Sequence, residues 1–344
     1  MFGEYHDPSG RFFNIIFETR GEEITLQASL ITATDLSYDY KRKYLLHIRR
    51  QMVANRRYTQ GYETADWLKI ATRHIFTEHL LDTSHGAMPH LSFHAKDDGT
   101  PIARISEGEH KGEILFSYEG EGIGDKPGLQ TLTLPKGSKF EVLPNPDPEK
   151  REVYYICGAS GCGKSYFVKG LVELYRKLFP EREVYLCSHL ESDDTLDSLR
   201  PPLKRVNIKS FVDRPPTLDE FQDCFLICDD IDSLPKDELK AIWNVIDTIA
   251  IQGRHTRTTL AVISHYITNY KTTRLILNEA TKVVVYPQAT SISSLRYMLE
   301  RKFGIDVDKI KAFKRMKTRW VCLYAMYPQY YITETSAGIL ATDD

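Results

Sequence analysis

The sequence lacks any apolar run that approaches the roughly 20 residues a membrane-spanning helix requires. This absence predicts a protein that is not integral to a membrane. The first residues also lack the basic segment followed by an apolar segment that a secretory signal needs. We therefore do not expect secretion.

An excess of one charge sign is lacking too. The formal net charge of -2 at pH 7 gives no global affinity for nucleic acids or membranes, so any basic surface must be local. The six cysteines have neither the pairing of zinc ligands nor the spacing of a secreted disulfide framework. We interpret them as reduced core residues of a cytosolic protein.

The chain is long enough, at 344 residues, for one large domain and a smaller one. Its composition changes at residues 143–153, LPNPDPEKREV, where three prolines predict an extended linker. We therefore predict an N-terminal region at 1–143 and a second domain at 144–344. Within the first, residues 35–82 have a helical pattern, and residues 90–143 predict a small antiparallel sheet or barrel.

Five short, nearly continuous apolar runs follow the linker, at residues 152–157, 183–188, 224–229, 259–264 and 282–287. Such runs are typical of strands buried on both faces of a parallel sheet that helices cover. Helical patterns lie between them, as at 165–179 and 236–253. The sequence therefore predicts an α/β fold with a central, mostly parallel sheet.

The segment GASGCGKS at residues 158–165 fits the Walker A pattern G-x-x-x-x-G-K-[ST], between a predicted strand and a predicted helix. Its backbone N–H groups and the helix N-terminus favour phosphate oxygens. We expect Lys164 to reach the β- and γ-phosphates of ATP and Ser165 Oγ to ligate Mg²⁺. The predicted nucleotide-binding residues are Gly158, Ala159, Ser160, Gly161, Cys162, Gly163, Lys164, Ser165 and Tyr166. The motif predicts a P-loop NTPase.

Polar residues end the next strands of the predicted sheet. In CFLICDD, residues 224–230, Asp229 is predicted as the Walker B acid beside Mg²⁺. Asp230 either orients or deprotonates the attacking water, or only caps the strand. His265 follows the fourth run, where it either senses the γ-phosphate or is an ordinary surface histidine.

Basic residues suggest two further roles. Arg254 and Arg257 are candidates, with Arg274 as a third, for an arginine that stabilises transition-state charge at a neighbouring subunit's γ-phosphate. The alternative is a solvated loop or a contact with DNA phosphates. The run from Lys41 to Arg57 contains seven Lys and Arg residues. It is either a surface that docks DNA or the capsid, or simply the solvated face of a helix.

The order of these motifs resembles that of the viral genome-packaging ATPases of large DNA viruses, the poxvirus-type branch of the FtsK–HerA superfamily. The resemblance covers residues 140–340. It includes SHLESDDTLDSL after the second run, GRHTRTTLAVISH at the fourth, and a C-terminal strand pair within 303–334. That family usually has Gln where this chain has His265, and many relatives have Glu in place of Asp230.

The resemblance implies a ring, pentameric or hexameric, that uses ATP to drive double-stranded DNA into a capsid. It also implies docking to a capsid, portal or membrane component, at an assembly site in the host cytoplasm or in the virion. A helicase or another AAA-like motor is the alternative enzyme, and a nucleotide-dependent structural or adaptor protein is the non-enzymatic alternative. A GTPase is disfavoured because the sequence has no N-K-x-D signature.

Overall fold

The computed structural model describes residues 2–6, 12–20, 23–30, 89–95, 99–119, 131–268, 273–305 and 307–340. The chain divides into two compact units, Met1–Ala87 and Met88–Asp344. The predicted helical segment at 35–82, with its basic run, lies outside the described residues. Within the described ranges, no helix is both long enough and apolar enough to cross a membrane.

The first unit contains an antiparallel sheet in the order β1 (Phe2–His6), β2 (Phe12–Arg20), β3 (Glu23–Leu30). Arg20 pairs with Glu23, so two residues connect β2 to β3. Those two residues are Gly-Glu in the sequence, and a two-residue connection that begins with glycine is typical of a tight hairpin. The predictions above did not include this sheet, although that hairpin signal was available.

The second unit begins with a four-stranded antiparallel sheet in the order β4-β6-β5-β8. Its strands are β4 (His90–Ser92), β5 (Thr100–Glu107), β6 (Ile114–Tyr118) and β8 (Lys139–Val142). The predicted small antiparallel sheet is therefore confirmed. Among the described strands none joins β4 to β8, so the sheet is open and does not close into a barrel.

A ten-stranded sheet forms the centre of the second unit, in the order β11-β10-β12-β13-β9-β14-β15-β16-β17-β7. Its strands are β7 (Thr131–Thr133), β9 (Val153–Cys157), β10 (Glu183–Ser188), β11 (Lys204–Val206), β12 (Cys224–Asp229), β13 (Thr259–Ser264), β14 (Lys282–Val285), β15 (Val321–Tyr324), β16 (Tyr330–Thr333) and β17 (Ser336–Ile339). Pairing is parallel from β11 to β14 and antiparallel from β14 to β7.

The five apolar runs of the sequence are the strands β9, β10, β12, β13 and β14, and they pair in parallel. Every residue of β9, β12, β13 and β14 is buried, as expected for strands covered on both faces. This architecture confirms the predicted α/β fold. The predicted C-terminal strand pair is also present, as β15 and β16.

Helices and the small sheet cover the two faces of the central sheet. The helices are α1 (Lys164–Leu178), α2 (Ser210–Asp213), α3 (Lys236–Gln252), α4 (Arg274–Glu279), α5 (Ile292–Phe303) and α6 (Val307–Arg315). On one face Tyr155 packs in a core that contains Ile246 of α3. On the other face Tyr154 packs in a core that contains Val168 of α1 and Ile105 of β5. Neighbouring residues of β9 thus serve opposite cores, as strand alternation requires.

The segment between β8 and β9, where the boundary at residue 143 was predicted, lies inside the second unit. A buried ion pair ties it to the central sheet. Nζ of Lys282 lies 2.6 Å from Oε1 of Glu152 and donates to the Leu143 carbonyl at 2.8 Å. Oε2 of Glu152 accepts from the backbone N–H of Asn145 at 3.0 Å. These contacts satisfy two charges that burial would otherwise make costly.

Candidate nucleotide-binding site

The predicted phosphate loop connects β9 to α1 and requires glycine at three of its positions. Gly161 and Gly163 have φ angles of 73° and 104°, in the left-handed region that glycine adopts without strain. At Gly158 a Cβ atom would lie 2.9 Å from Sγ of Cys162 and 2.9 Å from Cδ2 of Tyr286. The hydroxyl of Tyr286 donates to the Gly163 carbonyl at 3.1 Å. The loop is therefore compact, and the side chain of Tyr286 packs against it.

Lys164 is the first residue of α1, and its ammonium group folds back across the loop. Nζ donates to the carbonyl oxygens of Gly158 at 2.9 Å and Ala159 at 3.1 Å. The residue is buried, so this positive charge faces the concave side of the loop with little solvent around it. A phosphate group is the kind of anion that such a loop attracts.

Ser165 faces a carboxylate that the sequence did not single out. Its Oγ donates to Oδ2 of Asp193 at 3.2 Å. Oδ1 of Asp193 accepts from the backbone N–H groups of Thr195 at 2.8 Å and Leu196 at 2.7 Å, which fixes the carboxylate in a turn. Asp193 belongs to the SHLESDD segment that follows β10. Its place after a parallel strand, on the same edge as the phosphate loop, was the signal that could have found it.

Asp229 ends β12 and is only 4% exposed. Burial, and after it the nearby charges of Asp230 and Asp193, together raise the pKa of its carboxyl to about 7. A bound divalent cation would reverse this effect, because it favours the ionised carboxylate. The donor set of Ser165 Oγ and the Asp229 carboxylate fits Mg²⁺, which is commonly held by one or two protein groups together with substrate phosphates and water.

Within the described residues, no group of three or more His, Cys, Asp or Glu side chains is arranged to hold a metal by itself. A magnesium ion at this edge would therefore depend on the nucleotide for part of its coordination. In that arrangement Mg²⁺ would neutralise part of the charge of the phosphates.

His265 connects the lysine of the loop to Asp230, the residue that follows β12. Its Nε2 lies 2.8 Å from Oδ1 of Asp230, and its Nδ1 lies 3.4 Å from Nζ of Lys164. An ammonium group can only donate, so Nδ1 accepts and Nε2–H donates to Asp230. Asp230 has a φ of 50°, a left-handed conformation that Asp tolerates better than most residues. The three side chains form one hydrogen-bonded chain beside the loop.

The arginine candidates lie elsewhere in the chain. Arg254 and Arg257 precede β13, at the amino ends of the parallel strands, whereas the phosphate loop follows the carboxyl end of β9. Arg257 donates from Nε and Nη2 to the two carboxylate oxygens of Asp223 at 2.7 and 2.6 Å. Arg254 is exposed, and Arg274 begins α4. Within one chain the structure does not bring Arg254 or Arg257 to the loop.

The remaining predicted loop residues differ in exposure. Ala159 and Ser160 are exposed, and Cys162 is half-buried with a thiol pKa that burial raises. Tyr166, the second residue after Lys164, is 68% exposed. All six cysteines are free.

Comparisons with known proteins give one sequence relative and several structural ones. No family model matches the chain. The genome packaging NTPase B204 of Sulfolobus turreted icosahedral virus 2, in complex with AMPPCP, is 14% identical and matches over 56% of this chain and 98% of its own, with a TM-score of 0.39. EssC (ATPases 2 and 3) from Geobacillus thermodenitrificans is 12% identical over 63% of this chain and 46% of its own, with a TM-score of 0.39.

The structural relatives thus include a viral genome-packaging NTPase, the class of protein that the sequence resembles, while the poxvirus-type branch stays a prediction. The sequence relative is the uncharacterized protein V3 of the Sputnik virophage. It is 32% identical over 254 residues, which are 73% of this chain and 100% of V3. The chain belongs to the same family as protein V3 of the Sputnik virophage.

Proposed function

We propose that the protein is an ATPase that hydrolyses ATP with Mg²⁺ and uses the energy to translocate double-stranded DNA during the packaging of a viral genome. The observation that carries this proposal is the hydrogen-bonded chain of Lys164, His265 and Asp230 beside the phosphate loop. It brings a phosphate-binding cation and a candidate base for water to one place.

The phosphate end of ATP is expected to lie in the loop, where Nζ of Lys164 leaves the carbonyls of Gly158 and Ala159 for the β- and γ-phosphates. Ser165 and Asp229 are the residues that would hold Mg²⁺. The buried carboxylate of Asp229 has no positively charged partner within ion-pair distance in the described part of the chain, which favours a cation as its partner.

Asp230 is the candidate base for the attacking water. The N–H of His265 would orient its carboxylate, so the other oxygen could accept a proton from water. Since His265 also contacts Lys164, loss of the γ-phosphate would change the hydrogen bonds at both ring nitrogens. His265 would thus sense the γ-phosphate. In the family that the sequence resembles, a glutamine usually occupies this position.

Subunit assembly would complete the site. Arg254 is the better candidate for the arginine that acts on a neighbouring subunit, because it is exposed, whereas the guanidinium of Arg257 is held by Asp223. A pentameric or hexameric ring around DNA is therefore part of the proposal. So are docking to a capsid, portal or membrane component and a location at a viral assembly site in the host cytoplasm or in the virion; the virophage relative supports the viral origin.

Steady-state ATP hydrolysis by the full chain, with and without linear duplex DNA, tests the proposal. Duplex is expected to stimulate turnover, Lys164→Ala to abolish it, and Lys177→Ala, a substitution of an exposed lysine on the same helix, to leave it unchanged. Separation of the strands would indicate a helicase. Tight binding of ATP without turnover, with or without DNA, would indicate a structural or adaptor protein and would contradict the motor.

A further inference from the structure

The phosphates of a nucleotide in the proposed site would lie on one side of β9. The nucleoside would then lie on the opposite side. Asp229 ends β12 and His265 follows β13, and both strands lie on one side of β9. A γ-phosphate near Lys164 and His265 therefore directs the nucleoside toward the other side, where β14, β15 and β16 follow. This step rests on the proposed function, since it presumes a nucleotide in the loop.

The antiparallel strands bring a second group of residues to that same edge. Val285 at the end of β14 pairs with Val321 at the start of β15, and Val321 pairs with Thr333 at the end of β16. The residues just outside these ends, Arg319 and Glu334, therefore lie beside the start of α1.

An exposed aromatic ring and an exposed guanidinium face each other there. The guanidinium carbon of Arg319 lies 6.0 Å from the centroid of the Tyr166 ring, at the outer limit of a cation–π contact. Tyr166 is 68% exposed, and the Arg319 side chain is 63% exposed. Both planar groups thus retain open faces on which a base could stack.

Neighbouring side chains hold the segment that carries Arg319. Glu334 lies 3.3 Å from Nε of Arg319 through Oε1 and accepts from the Arg319 backbone N–H at 2.8 Å through Oε2. Trp320 packs edge-to-face on Phe167, with ring centroids 5.2 Å apart. The Arg319 segment is thereby fastened both to β16 and to the first turn of α1, so the spacing between Arg319 and Tyr166 is built into the fold.

A groove of about 400 Å³ begins at this pair and runs along α1, within the size range of small-ligand sites. Four carboxylates and three cations line it, and they are Glu107, Glu141, Glu173, Glu334, Lys139, Lys169 and Arg319. Such a mixed lining does not suit a DNA backbone, which requires an excess of positive charge. The base of a nucleotide is uncharged and does not require that excess.

We propose that the mouth of this groove binds the nucleobase of the nucleotide, with Tyr166 and Arg319 as its stacking groups. Glu334 is a positioning residue that holds the guanidinium of Arg319. Recognition is by stacking, which every base offers.

Calorimetric titration of the full chain with MgATP and, separately, with Mg²⁺ and inorganic tripolyphosphate tests this inference. Tyr166→Ala and Arg319→Gln are each expected to weaken MgATP binding roughly fivefold to fiftyfold. Tripolyphosphate has no base, so its affinity should be unchanged, which also shows that the variants are folded. Tyr297→Ala and Arg301→Gln, which replace exposed residues of α5, are matched controls that should bind both ligands as the wild type does.

Wild-type affinity for MgATP in both variants would overturn the inference and leave the proposed ATPase standing. Equal weakening of ATP and tripolyphosphate would also overturn it, because the residues would then act on the phosphate loop. If the wild-type chain bound neither ligand, the proposed function would fail, and the inference with it.

Discussion

Charged residues are arranged differently at the two ends of the parallel strands of the central sheet. At the amino ends of the strands, charges are paired: Lys282 with Glu152 at 2.6 Å, and Arg257 with Asp223 at 2.6 Å. At the carboxyl ends, Asp229 is buried near Asp230 and Asp193, and its pKa is raised to about 7. Removing one partner of a buried ion pair destabilises a fold, whereas a buried carboxylate with a perturbed pKa beside like charges is a candidate for a functional site. The comparison separates residues that support the structure from residues that are candidates for chemistry.

The largest effect is expected from Asp230→Asn. The amide removes the candidate base but keeps an oxygen that accepts from His265, and Asn tolerates the left-handed backbone found here. Turnover should fall by roughly 10²–10⁴-fold with ATP affinity retained, measured by steady-state hydrolysis and calorimetry. Asp232→Asn is the control, since Asp232 accepts from Ser264 Oγ at 3.1 Å, whereas among the described residues it is Asp230 that bonds His265. An equal loss in both variants would contradict the role of Asp230.

At the opposite edge, Lys282→Met should cost stability and not nucleotide affinity. It leaves the Glu152 carboxylate buried without its cation, at about 3–5 kcal/mol, measured by urea unfolding. Lys204→Met removes a strand lysine whose pair with Glu183 is half exposed, and should lower the free energy of unfolding much less than Lys282→Met does. If the double variant Glu152→Gln with Lys282→Met remained as unstable as the single one, the uncompensated charge would not be the cause.

His265 lies at the carboxyl ends of the strands, where it contacts both Lys164 and Asp230. His265→Ala should lower kcat roughly tenfold, since the Asp230 carboxylate loses a hydrogen bond that orients it. His265→Gln should restore part of that loss, because an amide can accept from Lys164 and donate to Asp230. Measurement of kcat separately from ATP affinity decides the matter, and a Gln variant as slow as the Ala variant would contradict a role for both ring contacts.

The smallest effect is expected at Arg257 and Arg254. Arg257→Gln removes a partly exposed bidentate pair and should lower the free energy of unfolding only slightly, whereas Arg254→Gln should leave stability unchanged and lower duplex-stimulated turnover. The Arg257 guanidinium lowers the pKa of Asp223, so this stabilisation is present above the ordinary carboxyl pKa and is lost as pH falls through the lowered one. Urea unfolding at neutral and acidic pH should therefore show the Arg257→Gln deficit shrinking with acidification.

The local sequence was sufficient for the five parallel strands and the long helices of the second unit. The five apolar runs became the five parallel strands, and the helix predicted at 236–253 spans Lys236–Gln252. These predictions succeeded because a strand covered on both faces must be apolar throughout, and because Pro235 and Gly253 mark helix ends. The glycines of the phosphate loop likewise follow from a backbone conformation that few other residues adopt.

What local sequence determined, then, is where strands, helices and the phosphate loop lie along the chain, since each depends on neighbouring residues. Tertiary structure alone decided which distant side chains meet: Asp193 with Ser165, His265 with Asp230, Arg257 with Asp223, and Arg319 with Tyr166. It also decided that β7 pairs with β17 at the far end of the large sheet. Strand order and register set these contacts, and no local pattern encodes the register of strands that are far apart in sequence.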